Sequence, residues 1–133
     1  MIAGLGLIGG SFALALRDRA LAEEILGVEK SPEIAEEAMR LGLADRIVGF
    51  EEGIAEADLV VLATPSFAVR STAAQLKDLM DPGTIVVSVS KGIEKDSSLR
   101  LSQVIEQEVG DKCPVVVLSG PSHAEEVGRH VPT

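Results

Sequence analysis

The stretch Gly4-Leu5-Gly6-Leu7-Ile8-Gly9 is the part of the sequence that decides the fold. It follows a short apolar segment, Met1 to Ala3, and precedes Ser11 to Arg19, which can form a helix. An acidic residue, Glu29, comes 20 residues after Gly9. A strand, this glycine spacing, a helix and a distant acidic residue are together typical of a dinucleotide-binding βαβ unit. The alternative interpretation is a tight turn between a strand and a helix without a ligand.

The residue types in this motif have separate physical roles. Gly4 permits a tight turn, Gly6 lets the backbone approach a diphosphate, and Gly9 lets the helix pack closely on the strand. The N-terminus of that helix offers unpaired N–H groups and a partial positive charge. An acidic chain can therefore bind an anion there without lysines in the loop. The predicted cofactor contacts are Gly4, Gly6, Leu7, Ile8 and Gly9.

Glu29 and Lys30 are predicted to decide which dinucleotide binds. Glu29 would accept hydrogen bonds from the adenosine ribose hydroxyls and repel a 2′-phosphate, which favours NAD. The alternative is a solvated carboxylate at a strand end. Lys30 and Ser31 follow directly and could accommodate a 2′-phosphate. We therefore predict NAD, with NADP as the alternative, and count Lys30 among the cofactor contacts.

Short apolar runs indicate a buried parallel sheet. Their side chains are apolar on successive rather than alternate residues, so both faces of each strand need cover. The clear runs are Leu59–Leu62, Ile85–Val87 and Val115–Leu118, and weaker candidates are Ile25–Glu29 and Arg46–Val48.

A helix is predicted after the second strand. Ser31-Pro32 supplies an N-cap and a first-turn proline, and Gly42 ends the helix. Ile34, Ala38 and Leu41 would share its apolar face.

Two more helices complete the alternation of strands and helices. One is predicted from Ser66 toward Met80, and the other from Asp96–Ser98 toward Val109. This order predicts an α/β fold, a Rossmann-type doubly wound, mainly parallel sheet. We assign residues 1–133 to one dinucleotide-binding domain.

Composition argues against several classes of function. The 133 residues include 12 Lys+Arg and 21 Asp+Glu, a formal net charge of −9. Neither nucleic acid nor an anionic membrane is an expected partner, because phosphate contacts need clustered cations. One cysteine and two distant histidines offer no metal-ligand cluster. Without a signal-peptide n-region or a membrane-spanning apolar run, the prediction is a cytoplasmic protein that handles a small ligand.

Two parts of the chain resemble two families of dehydrogenases. GLGLIGGSFALALR (4–17) and ILGVEKSPEIAEEAMRLGLADRIV (25–48) resemble prephenate dehydrogenases, over about residues 1–57. VLATPSFAVR (61–70), VSVSKGIEKD (87–96) and VLSGPSHAEEVGRHVPT (117–133) resemble NAD(P)-dependent glycerol-3-phosphate dehydrogenase, over about residues 58–133. The second resemblance is more specific, because SKGIE and SGPSHAEEV at this separation are hard to obtain by chance.

The sequence departs from both families. Glycerol-3-phosphate dehydrogenases usually carry a Ser-Trp or Ser-Phe pair where Leu7-Ile8 stands, and bacterial members often have Arg near Glu29-Lys30. Prephenate dehydrogenases carry a catalytic His in an HPMAG-like loop. His123 lies in that region and would be the base in that alternative, but Ala124-Glu125-Glu126 follows it.

Lys91 is the predicted catalytic residue. It follows the strand that ends at Val89, and ligands of doubly wound sheets bind at the carboxyl ends of strands. A lysine there can stabilise negative charge on a ketone oxygen as hydride arrives. The resemblance implies that Lys91 contacts both substrate and nicotinamide. A solvated lysine at a strand end is the alternative.

Other site residues are implied by their position or by the resemblance. The resemblance implies that Gly120 and Ser122 contact glycerol phosphate and that Ala124 lines the cofactor. Ser122 could instead belong to a capping box with Glu125. The loop with Pro65 and Phe67 would lie against the cofactor, although Phe67 could equally be a core residue.

The resemblance implies the cofactor domain of an enzyme that transfers hydride between a nicotinamide and dihydroxyacetone phosphate or glycerol 3-phosphate. The alternatives are a prephenate-dehydrogenase-like oxidoreductase and a stand-alone or chimeric dinucleotide-binding module without catalysis. Both families also use a C-terminal helical domain, which in the glycerol phosphate enzymes carries a lysine base. We expect feeble hydride transfer from this chain alone. An unfinished sheet edge would allow a homodimer.

Overall fold

The computed structural model describes residues 1–120 and, beyond them, residues 123, 126, 129 and 131. In this part of the chain, strands and helices alternate. The strands are β1 (Ile2–Ala3), β2 (Leu26–Val28), β3 (Arg46–Ile47), β4 (Leu59–Leu62), β5 (Ile85–Ser88) and β6 (Val115–Val117). The α-helices are α1 (Leu7–Asp18), α2 (Pro32–Arg40), α3 (Phe50–Ala55), α4 (Val69–Leu76) and α5 (Leu101–Val109), and short 3₁₀ helices cover Ser66–Ala68 and Gly110–Lys112.

The strands form one parallel sheet in the order β3-β2-β1-β4-β5-β6. The chain moves outward from β1 to β3, then returns to β4 on the other side of β1. The strand order therefore reverses between β1 and β4, which is where ligands bind in doubly wound sheets. This topology confirms the predicted Rossmann-type α/β fold.

Helices cover both faces of the sheet at its centre. At the edge strand β6, Val116 and Val117 are 48% and 50% exposed, so the predicted burial of both faces is wrong for Val115–Leu118. On one face, Val60, Leu62 and Val86 pack with α4 and α5, including the fully buried Leu76 and Ile105. The opposite face packs against α1 and α2 through a second cluster of buried residues, which includes Ile2, Val61, Val87, Ala13 and Ala38. Successive residues of β4 thus enter opposite layers, which explains why its sequence is apolar throughout.

The ends of three helices differ from the predictions. α1 begins at Leu7 rather than Ser11, because the glycine turn itself starts the helix. The segment from Ser66 opens as a 3₁₀ turn, and only turn hydrogen bonds continue past Leu76 to Met80. α5 begins at Leu101 rather than at Asp96–Ser98, since Ser98 has a left-handed backbone with φ 57°.

Two further features of the helices were not predicted correctly. The helix α3 was missed, since it has only 6 residues and starts at Gly49 without a side-chain cap. The predicted apolar face of α2 is wrong in part, because only Ala38 is buried. Ile34 and Leu41 are 42% and 50% exposed, so Ala38 is the one residue of α2 that is fully buried.

Close backbone packing fixes the start of α1. Gly4 has φ +94°, and a Cβ added there would lie 2.7 Å from the carbonyl oxygen of Ala63. A Cβ added at Gly9 would lie 1.9 Å from the carbonyl oxygen of Gly4. These neighbours are backbone atoms, which cannot rotate away as a side chain can. Only glycine at both positions lets α1 start directly above β1 and β4.

Two single substitutions in this turn, Gly9→Ala and Gly6→Ala, test that packing. Gly9→Ala should lower the free energy of unfolding by about 2 kcal/mol or more, because the added methyl group overlaps backbone. Gly6→Ala should cost about 1 kcal/mol or less, the price of a poorer N-cap, since Gly6 has φ −65° and no described atom within 4 Å of an added Cβ. Urea unfolding followed by circular dichroism measures both values. Equal losses in the two variants would contradict the packing described.

Candidate functional site

Because the six strands are parallel, the segments that follow them lie at one end of the molecule, the carboxyl end of the sheet, and five of these segments carry predicted site residues. The glycine turn follows β1, and Glu29 follows β2. Pro65 and Phe67 follow β4, Lys91 follows β5, and Gly120 follows β6. The fold therefore brings together predicted site residues that are far apart in the sequence. This end of the sheet, with its reversal between β1 and β4, is the candidate site.

The N-terminus of α1 is open toward this site. Gly6 is the N-cap, no side chain caps the helix, and its first turn contains no acidic residue. A Cβ added at Gly6 would meet no described atom within 4 Å. The space in front of the helix can therefore hold an anion close to the backbone, which is the fit that a diphosphate requires.

Leu7 and Ile8 lie differently in this turn. Leu7 is 62% exposed, so its side chain borders the open space. Ile8 packs partly against the buried cluster shared by α1 and the sheet. A ligand at the helix N-terminus would meet Leu7 as an apolar side chain, whereas Ile8 would offer mainly its backbone N–H.

Glu29 connects the end of β2 to the glycine turn. One carboxylate oxygen accepts a hydrogen bond from the N–H of Leu5 at 3.0 Å. The other accepts from the N–H groups of Lys30 at 2.8 Å and Ser31 at 3.1 Å. Three backbone donors thus fix the carboxylate, so the interpretation as a merely solvated group is wrong. Each carboxylate oxygen has two lone pairs, so the three donors leave one lone pair that can accept a hydrogen bond from a ligand hydroxyl.

Of the two residues after Glu29, Lys30 is exposed, whereas the side chain of Ser31 is already hydrogen-bonded within the protein. Lys30 is exposed at the carboxyl end of the sheet. The Ser31 hydroxyl caps α2 by accepting from the N–H of Ile34 at 3.4 Å, and it donates to Glu33 at 2.6 Å. Ser31 is therefore occupied as the predicted N-cap, which leaves Lys30 as the side chain able to reach a 2′-phosphate.

The loops after β4 and β5 are joined by direct contacts. The Ser90 hydroxyl lies 2.6 Å from the carbonyl oxygen of Thr64 and 3.2 Å from that of Leu62. Gly92 lies against Ser66, so an added Cβ would be 3.2 Å from the Cβ of Ser66. The loop that carries Lys91 is therefore held beside the loop that carries Pro65.

Phe67 projects from this loop into solvent. Its side chain is 88% exposed, and Pro65 is exposed as well. The interpretation of Phe67 as a core residue is therefore wrong. An aromatic ring this exposed at the carboxyl end of the sheet is available to a ligand or to another part of the protein.

Lys91 reaches the loop after β6. Its Nζ donates a hydrogen bond to the carbonyl oxygen of Gly120 at 3.1 Å. The structure thus places the predicted catalytic lysine beside one predicted substrate contact. Ser122 and Ala124 lie outside the described residues, and His123 is exposed.

Three residues of this region were not singled out from the sequence. Thr64 Oγ1 is buried and has no hydrogen-bond partner among the described residues, and it lies in the loop next to Gly4. Arg70 and Glu94 form an ion pair at 2.7 Å. Thr64 could have been found as the first polar residue after the buried strand β4, two positions beyond its end. The pairing of Arg70 with Glu94 depends on tertiary structure and leaves no local signal.

The described residues contain neither a cluster of metal-binding side chains nor a membrane-spanning helix. Within residues 1–120 and the four described positions beyond, no three His, Cys, Asp or Glu side chains are grouped so that they could hold a metal ion. In the same residues, no helix has the length and apolar character needed to cross a membrane.

Curated relatives of the chain are glycerol-3-phosphate dehydrogenases. The enzyme named glycerol-3-phosphate dehydrogenase [NAD(P)+] from Desulfitobacterium hafniense is 54% identical over 78 residues, which are 59% of this chain and 22% of that protein. The enzyme of the same name from a Thermoanaerobacter species is 37% identical over 129 residues, 97% of this chain and 38% of that protein. The chain therefore spans less than half of the length of these relatives.

Solved structures of both expected families resemble this fold. Glycerol-3-phosphate dehydrogenase from Coxiella burnetii superposes with a TM-score of 0.82 at 25% identity, over 99% of this chain and 43% of that one. Prephenate dehydrogenase from Aquifex aeolicus, solved with hydroxyphenyl propionate and NAD+, superposes with a TM-score of 0.71 at 25% identity. The match covers 84% of this chain and 38% of that one.

A match to a protein-family model distinguishes between the two families. The model described as NAD-dependent glycerol-3-phosphate dehydrogenase N-terminus matches residues 45–133. The match starts before Asp58, where the more specific resemblance was expected to begin, and covers the loops after β4, β5 and β6. It confirms the prediction of a glycerol-3-phosphate dehydrogenase cofactor domain and agrees with NAD or NADP as its cofactor. On this evidence the chain belongs to the family of NAD-dependent glycerol-3-phosphate dehydrogenase N-terminal domains.

Proposed function

We propose that residues 1–133 form one dinucleotide-binding domain that holds NAD, or NADP as the alternative, at the carboxyl end of the sheet. The whole protein would transfer hydride between this cofactor and dihydroxyacetone phosphate or glycerol 3-phosphate. The observation that carries the proposal is the N-terminus of α1. Its N-cap is Gly6, no side chain caps it, and it lies where the strand order reverses between β1 and β4. Family membership supports the same assignment.

The glycine turn would bind the cofactor through its backbone. The N–H groups of the first turn of α1 would donate hydrogen bonds to the diphosphate, and the partial positive charge of the helix would favour that anion. Glu29 would accept from one ribose hydroxyl at the oxygen that now binds only the N–H of Leu5, while its present bonds to backbone keep the carboxylate in place. Because a 2′-phosphate would lie close to this fixed negative charge, we expect NAD to bind more tightly than NADP.

The loops after β5 and β6 would hold the reacting part of the substrate. When bound, the nicotinamide supplies or accepts the hydride. Lys91 Nζ would donate a hydrogen bond to the ketone oxygen and stabilise its developing negative charge. Gly120, whose carbonyl oxygen contacts Lys91, would lie beside the phosphorylated substrate together with Ser122. Pro65, Phe67 and Ala124 would border the cofactor.

The expected partners follow from the same site. A small phosphorylated molecule is the substrate class that the family supports. The net charge of −9 makes nucleic acid and anionic membranes poor partners. A homodimer is a further proposal, supported by Val116, Val117 and Leu118, which are 48%, 50% and 56% exposed at and just beyond the edge strand β6. The cytoplasmic location stays a prediction.

Gly6→Val tests the binding of the diphosphate. The branched side chain would fill the open space in front of α1, and the affinity for NADH should fall by at least about tenfold, equivalent to about 1.4 kcal/mol. Enhancement of NADH fluorescence measures the affinity.

Gly49→Val is a matched control for this substitution. Gly49 is the N-cap of α3, has φ −66°, and also has no described atom within 4 Å of an added Cβ. The control should bind NADH like the unchanged protein. Unchanged affinity in Gly6→Val would refute the assignment of the turn.

Lys91→Ala tests the contact with the substrate. The lysine is exposed, so the variant should fold normally. We expect dihydroxyacetone phosphate to tighten NADH binding in the unchanged protein, and this response should be lost in Lys91→Ala. Lys95→Ala removes an exposed lysine of the same loop and should keep the response.

The same titrations separate the remaining alternatives. A response to prephenate instead of dihydroxyacetone phosphate would favour the prephenate-type enzyme. NADH binding that responds to neither compound would favour a binding module without catalysis. A normal response in Lys91→Ala would show that Lys91 is only a surface residue.

A further inference from the structure

An ion pair outside the proposed contacts joins the loop of Lys91 to α4. Arg70 Nε and Nη2 each donate to one oxygen of Glu94 at 2.7 Å, a parallel pair of hydrogen bonds. Glu94 lies three residues after Lys91, and its side chain is 21% exposed. Such two-pronged pairs fix geometry more strongly than a single contact does.

Glu94 is held by other contacts as well. The Ser97 hydroxyl donates to Glu94 Oε2 at 2.5 Å. The N–H of Glu94 donates to the carbonyl oxygen of Leu99 at 2.9 Å, and its own carbonyl oxygen accepts from Ser98. An isolated antiparallel bridge joins Ile93 to Arg100. The turn from Ile93 to Arg100 is thus held by hydrogen bonds between its own residues, and the ion pair with Arg70 attaches it to α4.

Arg70 and Ser97 also determine the charge of Glu94. The hydrogen bonds from the Arg70 guanidinium, followed by the bond from the Ser97 hydroxyl, lower the pKa of Glu94 to about 2. The carboxylate is therefore ionised at any pH at which the protein would work, and the ion pair persists there.

Lys91 lies between two fixed points. On one side, Ser90 contacts the carbonyl oxygens of Leu62 and Thr64. On the other side, Glu94 is attached to Arg70. Only Lys91, Gly92 and Ile93 lie between them, and a span of three residues has little freedom when both of its ends are held.

The helix that supplies Arg70 also sets the neighbouring loop. Arg70 is the second residue of α4, directly after the 3₁₀ turn Ser66–Ala68. Ser66 in that turn lies next to Gly92, since a Cβ added at Gly92 would be 3.2 Å from the Cβ of Ser66. The ion pair therefore holds the loop after β4 and the loop after β5 at one relative position.

We infer that Glu94, held by Arg70, is a positioning residue that fixes Lys91 for its contact with substrate and cofactor. The part of this inference that concerns ligands rests on the proposed function. The part that concerns the placement of Lys91 does not, because it depends only on contacts within the chain. Glu94 itself touches no ligand in this account.

Glu94→Gln is the substitution that separates positioning from general stability. It keeps the size of the side chain but removes the charge and one of the two acceptors. Arg70 is less suitable for truncation, because it also binds Glu108 at 2.5 Å and Gln107 at 3.1 Å on α5. Arg70→Lys is the second variant, since lysine keeps the charge and cannot form the paired hydrogen bonds.

Two substitutions serve as controls. Glu108→Gln removes the other ion pair of Arg70 and leaves Glu94 unchanged. Glu37→Gln breaks a similar two-bond pair, formed with Arg40 on α2 at 2.5 and 2.7 Å. Glu37→Gln reports the cost of losing an ion pair far from the loop after β5. Glu108→Gln reports the loss of the second partner of Arg70 while the Glu94 side chain is kept.

Competitive acetylation of lysine amines measures the placement of Lys91 directly. In Glu94→Gln, the acetylation rate of Lys91 relative to Lys30 and Lys77 should rise at least about threefold, because a loosened loop leaves the amine less often hydrogen-bonded. Arg70→Lys should change the rate in the same direction. Both control variants should match the unchanged protein. An unchanged relative rate for Lys91 in Glu94→Gln would overturn the inference.

A ligand titration then tests the consequence of that placement. Dihydroxyacetone phosphate should lower the Kd of NADH by a certain factor in the unchanged protein. In Glu94→Gln this factor should be at least about fivefold smaller, because the lysine donor is no longer held in place. A retained response despite faster acetylation would also overturn the inference. If the unchanged protein binds no NADH, the proposed function fails, and acetylation still decides whether Glu94 positions Lys91.

Discussion

The structure depends on one close contact between backbone segments. The carbonyl oxygen of Gly4 occupies the place where a Cβ of Gly9 would lie. This contact lets α1 begin immediately after β1 and sit above the junction of β1 and β4. The N-terminus of the helix is consequently aimed at the point where the strand order reverses, and every other feature of the site is arranged around that position.

The distribution of charge matches this arrangement. The chain carries a net charge of −9, and acidic residues occupy the first turns of α2 and α3. The first turn of α1 contains none, so its partial positive charge is not neutralised from within the helix. The carboxylate of Glu29 accepts hydrogen bonds from backbone N–H groups, one of them in the glycine turn. An acidic protein can in this way present a local binding site for an anionic cofactor.

Much of the fold could be predicted because its signals are local. Leu59–Leu62 is apolar on successive residues because the strand is covered on both faces, and the spacing of Gly4 and Gly9 reflects the close approach of these two residues to each other. The start of α5 could not be predicted, since the left-handed Ser98 and the bridge from Ile93 to Arg100 depend on the folded loop. The exposure of Phe67 was equally inaccessible from the sequence, because an aromatic residue after a strand fits either a core or a surface.

The sequence predicted which residues come together at the carboxyl end of the sheet, but not which distant side chains pair there. Gly6 and Lys91 stand at strand ends, so topology alone brings them to one end of the sheet. The pair Arg70 and Glu94 joins α4 to the loop after β5, and neither residue differs locally from an ordinary surface charge. Pairings of this kind are decided by tertiary packing, which no local pattern records.

An NMR titration of ¹⁵N-labelled protein with NADH can locate the diphosphate on the chain. The largest amide shifts should occur at Gly6, Leu7, Ile8 and Gly9, since their N–H groups would meet the diphosphate. Shifts confined to other parts of the protein, or none at millimolar NADH, would contradict this placement of the diphosphate.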